Sequence, residues 1–227
     1  MKIAPGPLIE DLRGSCSNLA IQMTIAGLTA RYKNQPVQPK NIAQVLVRAA
    51  VASIAQTWKS PAMTDFRPAW IILANNNPYY DVWGVPHKMT GSAMFTKLNK
   101  NLNTLGLSMI LPAPTALSCG SPLSIAQTHA AGPPQSFIIT STGPPAIHEA
   151  VVIRCSKPLS PGISTLANTQ SIIQTFPAGT NSPWDISTAW NKKHATVTPG
   201  DTVFFLVNYV NTITGFAGPQ LVALFNW

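Results

Sequence analysis

Charged side chains are scarce in this sequence. Only 10% of its 227 residues are Asp, Glu, Lys or Arg, whereas folded domains usually carry about 25%. Acidic residues are the scarcer sign, with seven Asp and Glu against fifteen Lys and Arg, and the formal net charge is +8. A hydrophobic fraction of 45% excludes a disordered chain. This composition suits extensive subunit contact, because large obligate interfaces are poor in charge.

Long apolar runs are missing as well. No stretch approaches the roughly 18 consecutive apolar residues of a transmembrane helix, so we expect no membrane insertion. The first seven residues carry one charge and two prolines, which is not typical of a secretory signal peptide. We therefore expect a protein that is made in the cytoplasm without a leader.

Cysteine is rare, and its spacing excludes the common zinc and redox motifs. Cys16, Cys119 and Cys155 form no C-x-x-C pair, so a zinc site or a redox dithiol is not expected. One interpretation is that all three are small buried thiols. The alternative, for a protein that ends up outside the cell, is a disulfide between Cys119 and Cys155.

Catalytic signatures are also missing. Most of the seven acidic residues fall at predicted caps or turns, and the four histidines are scattered without metal-ligand spacing. His148 and Glu149 are adjacent and would point to opposite faces of a strand. The sequence has no G-x-S-x-G, P-loop or Rossmann pattern. We predict that the protein is not an enzyme and has no catalytic residues, metal or cofactor.

Proline and charge divide the chain. The 21 prolines and 14 glycines favour strands joined by turns. Residues 1–110 have a net charge of +7, with eleven basic and four acidic residues, and residues 111–227 have a net charge of +1, with four and three. The segment Leu111-Pro112-Ala113-Pro114-Thr115 between them is typical of a stiff linker.

The predicted fold is α+β, mainly β, in three parts. An N-terminal extended arm or hairpin covers residues 1–35, a small helical region covers 36–110, and an Ig-like or fibronectin-III-like β-sandwich covers 111–227.

Local patterns supply the elements of the first two parts. Loose alternation over residues 18–33 predicts a hairpin with Gly27 at its turn. Apolar spacing predicts helices over 42–58, 65–74 and 91–104, the first two capped by Asn41 and Thr64.

The last part has the composition of strands. Short segments rich in β-branched and aromatic residues alternate with turns that contain Pro or Gly, and residues 182–190 predict an inserted helical turn. The predicted strands are 123–128, 137–141, 150–155, 171–176, 196–198, 202–210 and 221–225.

Several blocks of the chain match a family pattern. An alanine-rich helix leads to Thr57-Trp58-Lys59-Ser60, a second helix carries Trp70, and residues 91–102 read G-S-A-M-F-T-K-L-N-K-N-L. Residues 199–204 read P-G-D-T-V-F, and residues 211–219 read N-T-I-T-G-F-A-G-P. This order resembles a group of uncharacterised phage and prophage-associated proteins with an Ig-like C-terminal domain.

The resemblance covers residues 36–104 and 196–223. The sequence departs from the family at Phe66-Arg67-Pro68, where the family usually has Gln-Arg before the second tryptophan. The resemblance transfers no activity, and it implies association with virus particles or mobile elements.

The first part of the chain also supports a nucleic-acid interpretation. Its excess of lysine and arginine could line a phosphate backbone, although these residues are spread out and could instead serve only solubility. Arg67 and Lys88 belong to the same basic excess. The residues of the predicted face are Arg31, Lys33, Lys40, Arg48, Lys59, Lys97 and Lys100.

Exposed aromatic residues and the arm favour self-association. Tyr79 and Tyr80 follow three asparagines, and Phe225 and Trp227 end the chain, so we predict that they contact neighbouring subunits. The proline-rich arm, residues 1–17, is expected to become ordered across an adjacent subunit.

The first prediction is therefore a self-assembling structural protein of a phage virion, such as a shell, decoration or tail-associated subunit. Its partners would be its own copies and other virion proteins. The alternatives are a nucleic-acid-binding protein that acts through the helical region and a subunit of an extracellular filament.

Overall fold

The computed structural model of the chain contains helices and strands in similar amounts. It describes residues 14–16, 19–24, 27–32, 42–80, 86–130, 135–163, 170–194 and 196–226. The contacts divide the chain into two units, Met1–Leu46 and Val47–Trp227. The fold is α+β, as predicted, but it is not mainly β. The prediction gave strands too much weight because the prolines and glycines lie largely between elements, where they end helices as readily as strands.

The first unit contains a three-stranded antiparallel sheet. Its strands are β1 (Gly14–Cys16), β2 (Leu19–Thr24) and β3 (Gly27–Tyr32), with β2 in the centre. The predicted hairpin is confirmed as the β2–β3 pair. Gly27 pairs with Thr24 as the first residue of β3, so it stands at the end of the predicted turn. Most of the predicted arm lies outside the described residues.

Three helices and a short 3₁₀ helix follow. They are α1 (Ile42–Lys59), the 3₁₀ helix (Pro61–Met63), α2 (Arg67–Asn76) and α3 (Gly91–Thr104). The predicted bounds of α3 are confirmed, and those of α1 differ by one residue. Thr64 does not cap α2. It follows the 3₁₀ helix that begins at Pro61, and α2 begins only at Arg67. Pro68 occupies the first turn of α2, where its missing N–H costs no hydrogen bond.

A compact cluster of apolar side chains holds the helices of the second unit. Trp70 and Phe95 are fully buried and meet edge to face, with their ring centroids 5.2 Å apart. Trp58 packs from one side as a half-buried ring. Leu111 and Ala113, from the segment interpreted as a linker, also pack on this cluster. The proline-rich segment is therefore part of the helical core.

Two antiparallel sheets are built from the rest of the chain. The first has the strand order β10 (Trp184–Asp185), β7 (Ser136–Thr142), β6 (Ser124–Ala130). The second has the order β12 (Leu221–Asn226), β11 (Thr202–Asn211), β8 (Glu149–Cys155), β9 (Ser171–Phe176). A short ribbon of β4 (Tyr79–Tyr80) and β5 (Pro86–His87), which the sequence did not predict, precedes α3.

Side chains from both sheets enter one core. Phe137 of β7 lies 4.4 Å from Trp190 and 6.1 Å from Phe205 of β11, measured between ring centroids. Trp190 belongs to α4 (Ser187–Lys193), so the helical turn predicted within 182–190 is real but begins after β10. The two sheets therefore pack on each other through a shared aromatic core.

The predicted strand over residues 196–198 is wrong. The side-chain amide of Gln135 donates to the carbonyl oxygen of Val197 at 2.8 Å and accepts from its N–H at 2.9 Å. The buried Gln135 amide therefore satisfies the backbone N–H and C=O groups of Val197, which a neighbouring strand would otherwise have to do. The segment pairs with this side chain and forms no strand.

Hydrogen bonds tie the helices to loop segments within the second unit. The side chain of Asn101 on α3 donates to the carbonyl oxygen of Gly215 at 2.9 Å, and the indole N–H of Trp70 donates to the carbonyl oxygen of Leu111 at 2.8 Å. The unit Val47–Trp227 contains both the helical cluster and the two sheets. The domain boundaries predicted after residues 35 and 110 remain predictions.

Candidate assembly surface and basic groove

Helix α1 exposes an apolar stripe near its start. Ile42, Val45 and Leu46 are 77%, 50% and 65% exposed, and their spacing places them on one face of the helix. Ile54 is the only fully buried side chain among those described on α1. A helix with a bare apolar face gains little stability until that face is covered. We call these three residues the α1 stripe.

The aromatic residues predicted for self-association are in different environments. Tyr79 on β4 is half exposed, and its ring stacks on that of His87 at 5.3 Å. Phe225 turns inward and meets Phe205 at 5.7 Å, so it packs on the core of the sheets. Tyr80 lies in β4, opposite Pro86. Trp227 lies outside the described residues.

The last strand offers other apolar residues to solvent. Val222 and Leu224 are exposed, because burial alternates along β12 and Phe225 occupies the inner face. Residues 221–225 are all apolar, so the sequence pattern does not single out Val222 and Leu224. The outward face of this strand, rather than Phe225, is the part available to a neighbour.

A basic groove lies between the end of α1 and the exposed face of α3. Its cavity measures about 1060 Å³ and contains no carboxylate among its lining residues. The α3 side carries Lys97 and Lys100, while Met94, Phe95 and Leu98 turn into the core. The residues that line it are Ala55, Trp58, Lys59, Arg67, Ser92, Ala93, Thr96, Lys97 and Lys100.

The structure brings together three of the basic residues that the sequence predicted for a nucleic-acid face. Lys59, Lys97 and Lys100 are all exposed at the groove. Arg48 is exposed on α1 but eleven residues before Lys59, a separation of about 16 Å along the helix. Arg31 lies in β3. Lys33 and Lys40 are outside the described residues.

Arg67, from the wider set of basic residues, is the fourth cation of the groove. Its Nε and Nη2 donate to the carbonyl oxygen of Trp58 at 3.1 and 2.9 Å, and Nη2 also donates to that of Ser60 at 3.2 Å. The guanidinium carbon lies 6.0 Å from the centre of the Trp58 ring. Arg67 thus caps the negative end of α1 and fixes a positive charge beside an aromatic ring.

A second, smaller cavity of about 460 Å³ adjoins the groove. Trp58 and Ser92 line both cavities, and Lys88 adds a cation at the far side. This second cavity also has no carboxylate in its lining. The two form one basic surface that runs past Trp58 and the start of α3.

Cys155 and His194 form a pair that the sequence analysis missed. The thiol sulfur lies 3.3 Å from Nε2 of the imidazole. Burial raises the pKa of the Cys155 thiol to about 12, and burial together with the neighbouring Lys193 charge lowers the pKa of His194. Both shifts favour the neutral forms, and Cys155 is fully buried. Cys119 is also a free thiol in this structure, so the alternative of a Cys119–Cys155 disulfide is not adopted.

We expect Cys155 to resist alkylation in the native protein. A thiol pKa of about 12 instead of 9 lowers the thiolate fraction at pH 8 about a thousandfold. Site-resolved mass spectrometry after iodoacetamide treatment should therefore show Cys155 labelled at least a hundredfold more slowly in the native than in the urea-unfolded protein. Equal rates in the two states would contradict the buried, neutral thiol.

The described residues contain neither a cluster of metal ligands nor a membrane-spanning helix. Among the residues that the structure describes, no three His, Cys, Asp or Glu side chains are grouped so as to hold a metal ion. In the same part of the chain, no helix combines the length and hydropathy needed to cross a membrane.

Comparison with known proteins adds no family assignment. No protein-family model matches the sequence, and no curated protein is significantly similar to it.

Proposed function

We propose that this chain is a non-enzymatic structural protein that assembles with copies of itself. The observation that carries the proposal is the α1 stripe, Ile42, Val45 and Leu46, whose apolar side chains are half to three-quarters exposed. Covering such side chains contributes about 25 cal/mol per Å² of apolar area. The low charge of the whole sequence supports the same proposal, because charge is depleted at the centre of subunit interfaces.

The occupant proposed for the stripe is a second copy of the chain. The neighbouring positions of α1 are rich in alanine, including Ala49 and Ala50, and small side chains let two helices approach closely. The exposed side chains Val222 and Leu224 of β12 are proposed as a second contact.

A phage virion is the proposed setting. The resemblance of residues 36–104 and 196–223 to phage-associated proteins supports it, and a shell, decoration or tail-associated subunit would use such contacts repeatedly. Other virion proteins are proposed as further partners. An extracellular filament is the alternative setting, and it would need the same self-association.

We also propose that the two C-terminal sheets form an Ig-like sandwich of the fibronectin-III type. If β6 to β12 are named in chain order A, B, C, C′, E, F and G, the observed sheets are A–B–E and C′–C–F–G. In this order the fourth strand pairs with C instead of E, whereas Ig constant domains have an A–B–E–D sheet. The shared core of Phe137, Trp184 and Phe205 supports a two-layer packing.

Placing a charge on the α1 stripe should weaken assembly. Leu46→Glu would bury an unpaired carboxylate in the proposed contact, so we expect at least a tenfold weaker association in sedimentation velocity experiments. Gln44→Glu is the matched control, because it adds the same charge to the opposite face of α1. Unchanged sedimentation of the Leu46→Glu protein would contradict the role of the stripe.

A further inference from the structure

We propose that the groove between α1 and α3 binds single-stranded nucleic acid. Its phosphates would lie against Lys59, Lys97 and Lys100, and an unpaired base would lie on the apolar floor at Trp58. This inference does not depend on self-assembly, because every residue that it uses lies within one chain and in the unit Val47–Trp227.

The charge of the groove selects an extended anion. Four cations line the main cavity and Lys88 lines its continuation, with no Asp or Glu in either lining. Lys97 and Lys100 are three residues apart on α3 and are therefore neighbours on its surface, so they can reach successive phosphates. Charges this close together repel one another unless anions lie between them. No carboxylate in either lining neutralises these positive charges, and the phosphates of a polyanion would neutralise them.

The start of α3 adds to the same potential. Ser92 and Ala93, at the first turn of the helix, line the groove. Thr90 caps this end by accepting from the N–H of Ala93 at 3.2 Å. The positive end of the helix dipole thus faces the same space as the lysines, which favours phosphate there.

The floor of the groove selects for unpaired bases. Ala55, Trp58 and Ala93 form an apolar surface between the cations. Proteins that bind single strands combine such a positively charged track with aromatic side chains that receive the bases. A duplex keeps its bases stacked inside and would leave this floor uncovered, and a run of Asp or Glu side chains has no flat ring to place on it.

The length of the surface favours a polymer over a single nucleotide. The main cavity is open and continues past Trp58 and Ser92 into the second cavity beside Lys88. One nucleotide would contact only part of this row of cations. Several consecutive nucleotides can contact all of it.

The test is a salt titration of full-length protein with a fluorescent (dT)20 oligonucleotide. Because each phosphate contact on a single strand contributes about −0.7 to the slope of log K against log salt, the five cations predict a slope of about −3.5. The double variant Lys97→Gln/Lys100→Gln should reduce the slope by about 1.4 and weaken binding about tenfold or more at 0.1 M salt.

The control variant removes the same charge elsewhere. Lys157 and Lys192 are exposed and line neither cavity, so Lys157→Gln/Lys192→Gln should keep binding within twofold of the unsubstituted protein. Equal losses in the two double variants would overturn the groove as the site, and so would an absence of binding by the unsubstituted protein. Circular dichroism of each variant establishes that it is folded.

Two competitors test the class of ligand. A 20-base-pair duplex and polyglutamate should each compete at least tenfold less well than unlabelled (dT)20. Competition by the duplex at equal strength would overturn the preference for a single strand. Stronger competition by polyglutamate would identify an acidic protein as the ligand and overturn the nucleic-acid assignment.

Discussion

Replacing Gly215 by alanine is expected to destabilise the protein by about 3 kcal/mol or more. Gly215 has φ +72°, and a Cβ built there would lie 2.3 Å from the carbonyl oxygen of Leu98 and 2.9 Å from its carbonyl carbon. Both atoms belong to the backbone of α3, so no side-chain rotation can relieve the clash. The loop after β11 would have to move away from the helix.

Gly106 provides a matched control for this substitution. It has the same φ of +72°, but nothing lies within 4 Å of a Cβ built there. Gly106→Ala should therefore cost only the left-handed strain of about 1 kcal/mol. Urea unfolding measures the free energy of unfolding of both variants. The difference between their losses is the cost of the clash with α3, because both carry the same backbone strain. If the two free energies of unfolding fall by the same amount, the close approach of Gly215 to α3 is not real.

The second large effect is expected at Trp70. Trp70→Ala should cost about 3–5 kcal/mol, because it opens a cavity in the helical cluster where Trp70 is fully buried against Phe95. Trp70→Phe keeps a ring but removes the N–H donor to the carbonyl oxygen of Leu111, so about 1–3 kcal/mol is expected.

Urea unfolding followed by circular dichroism measures both Trp70 variants. Trp70→Ala is expected to be the less stable of the two, and both are expected to be less stable than the unsubstituted protein. A Trp70→Phe protein as stable as the unsubstituted one would mean that the segment after Leu111 is not held by this hydrogen bond.

Local sequence patterns predicted where helices and strands lie better than they predicted which distant residues contact them. The periodicity of residues 91–104 and the stop at Gly106 define α3, because both signals lie within the helix itself. The false strand at 196–198 shows the limit of such patterns. Val197 pairs with Gln135, 62 residues away, and no local pattern reveals that a side-chain amide occupies the place of a strand.

Glu149 illustrates the same limit. The sequence showed only that it is adjacent to His148. In the structure its buried carboxylate accepts hydrogen bonds from the N–H groups of Gly120 and Ala146 at 2.5 and 2.8 Å. Its role is to hold two loops together. That role depends on residue 120, which is far away in sequence.

The candidate surfaces were predicted only in part, because their residues come from segments that are distant in sequence. Net charge located the basic half, but only the packing of α1 against α3 selects Lys59, Arg67, Lys97 and Lys100 from it. Residues 221–225 are all apolar, so only the fold shows that Phe225 lies inside and that Val222 and Leu224 lie outside. Composition identifies a class of surface, and the fold determines which residues share it.

The mass of the full-length protein in solution tests self-assembly most directly. Light scattering, followed by negative-stain imaging, should give regular particles much heavier than the 24.3 kDa chain. A clean 24.3 kDa monomer at high micromolar concentration would contradict the proposed structural role.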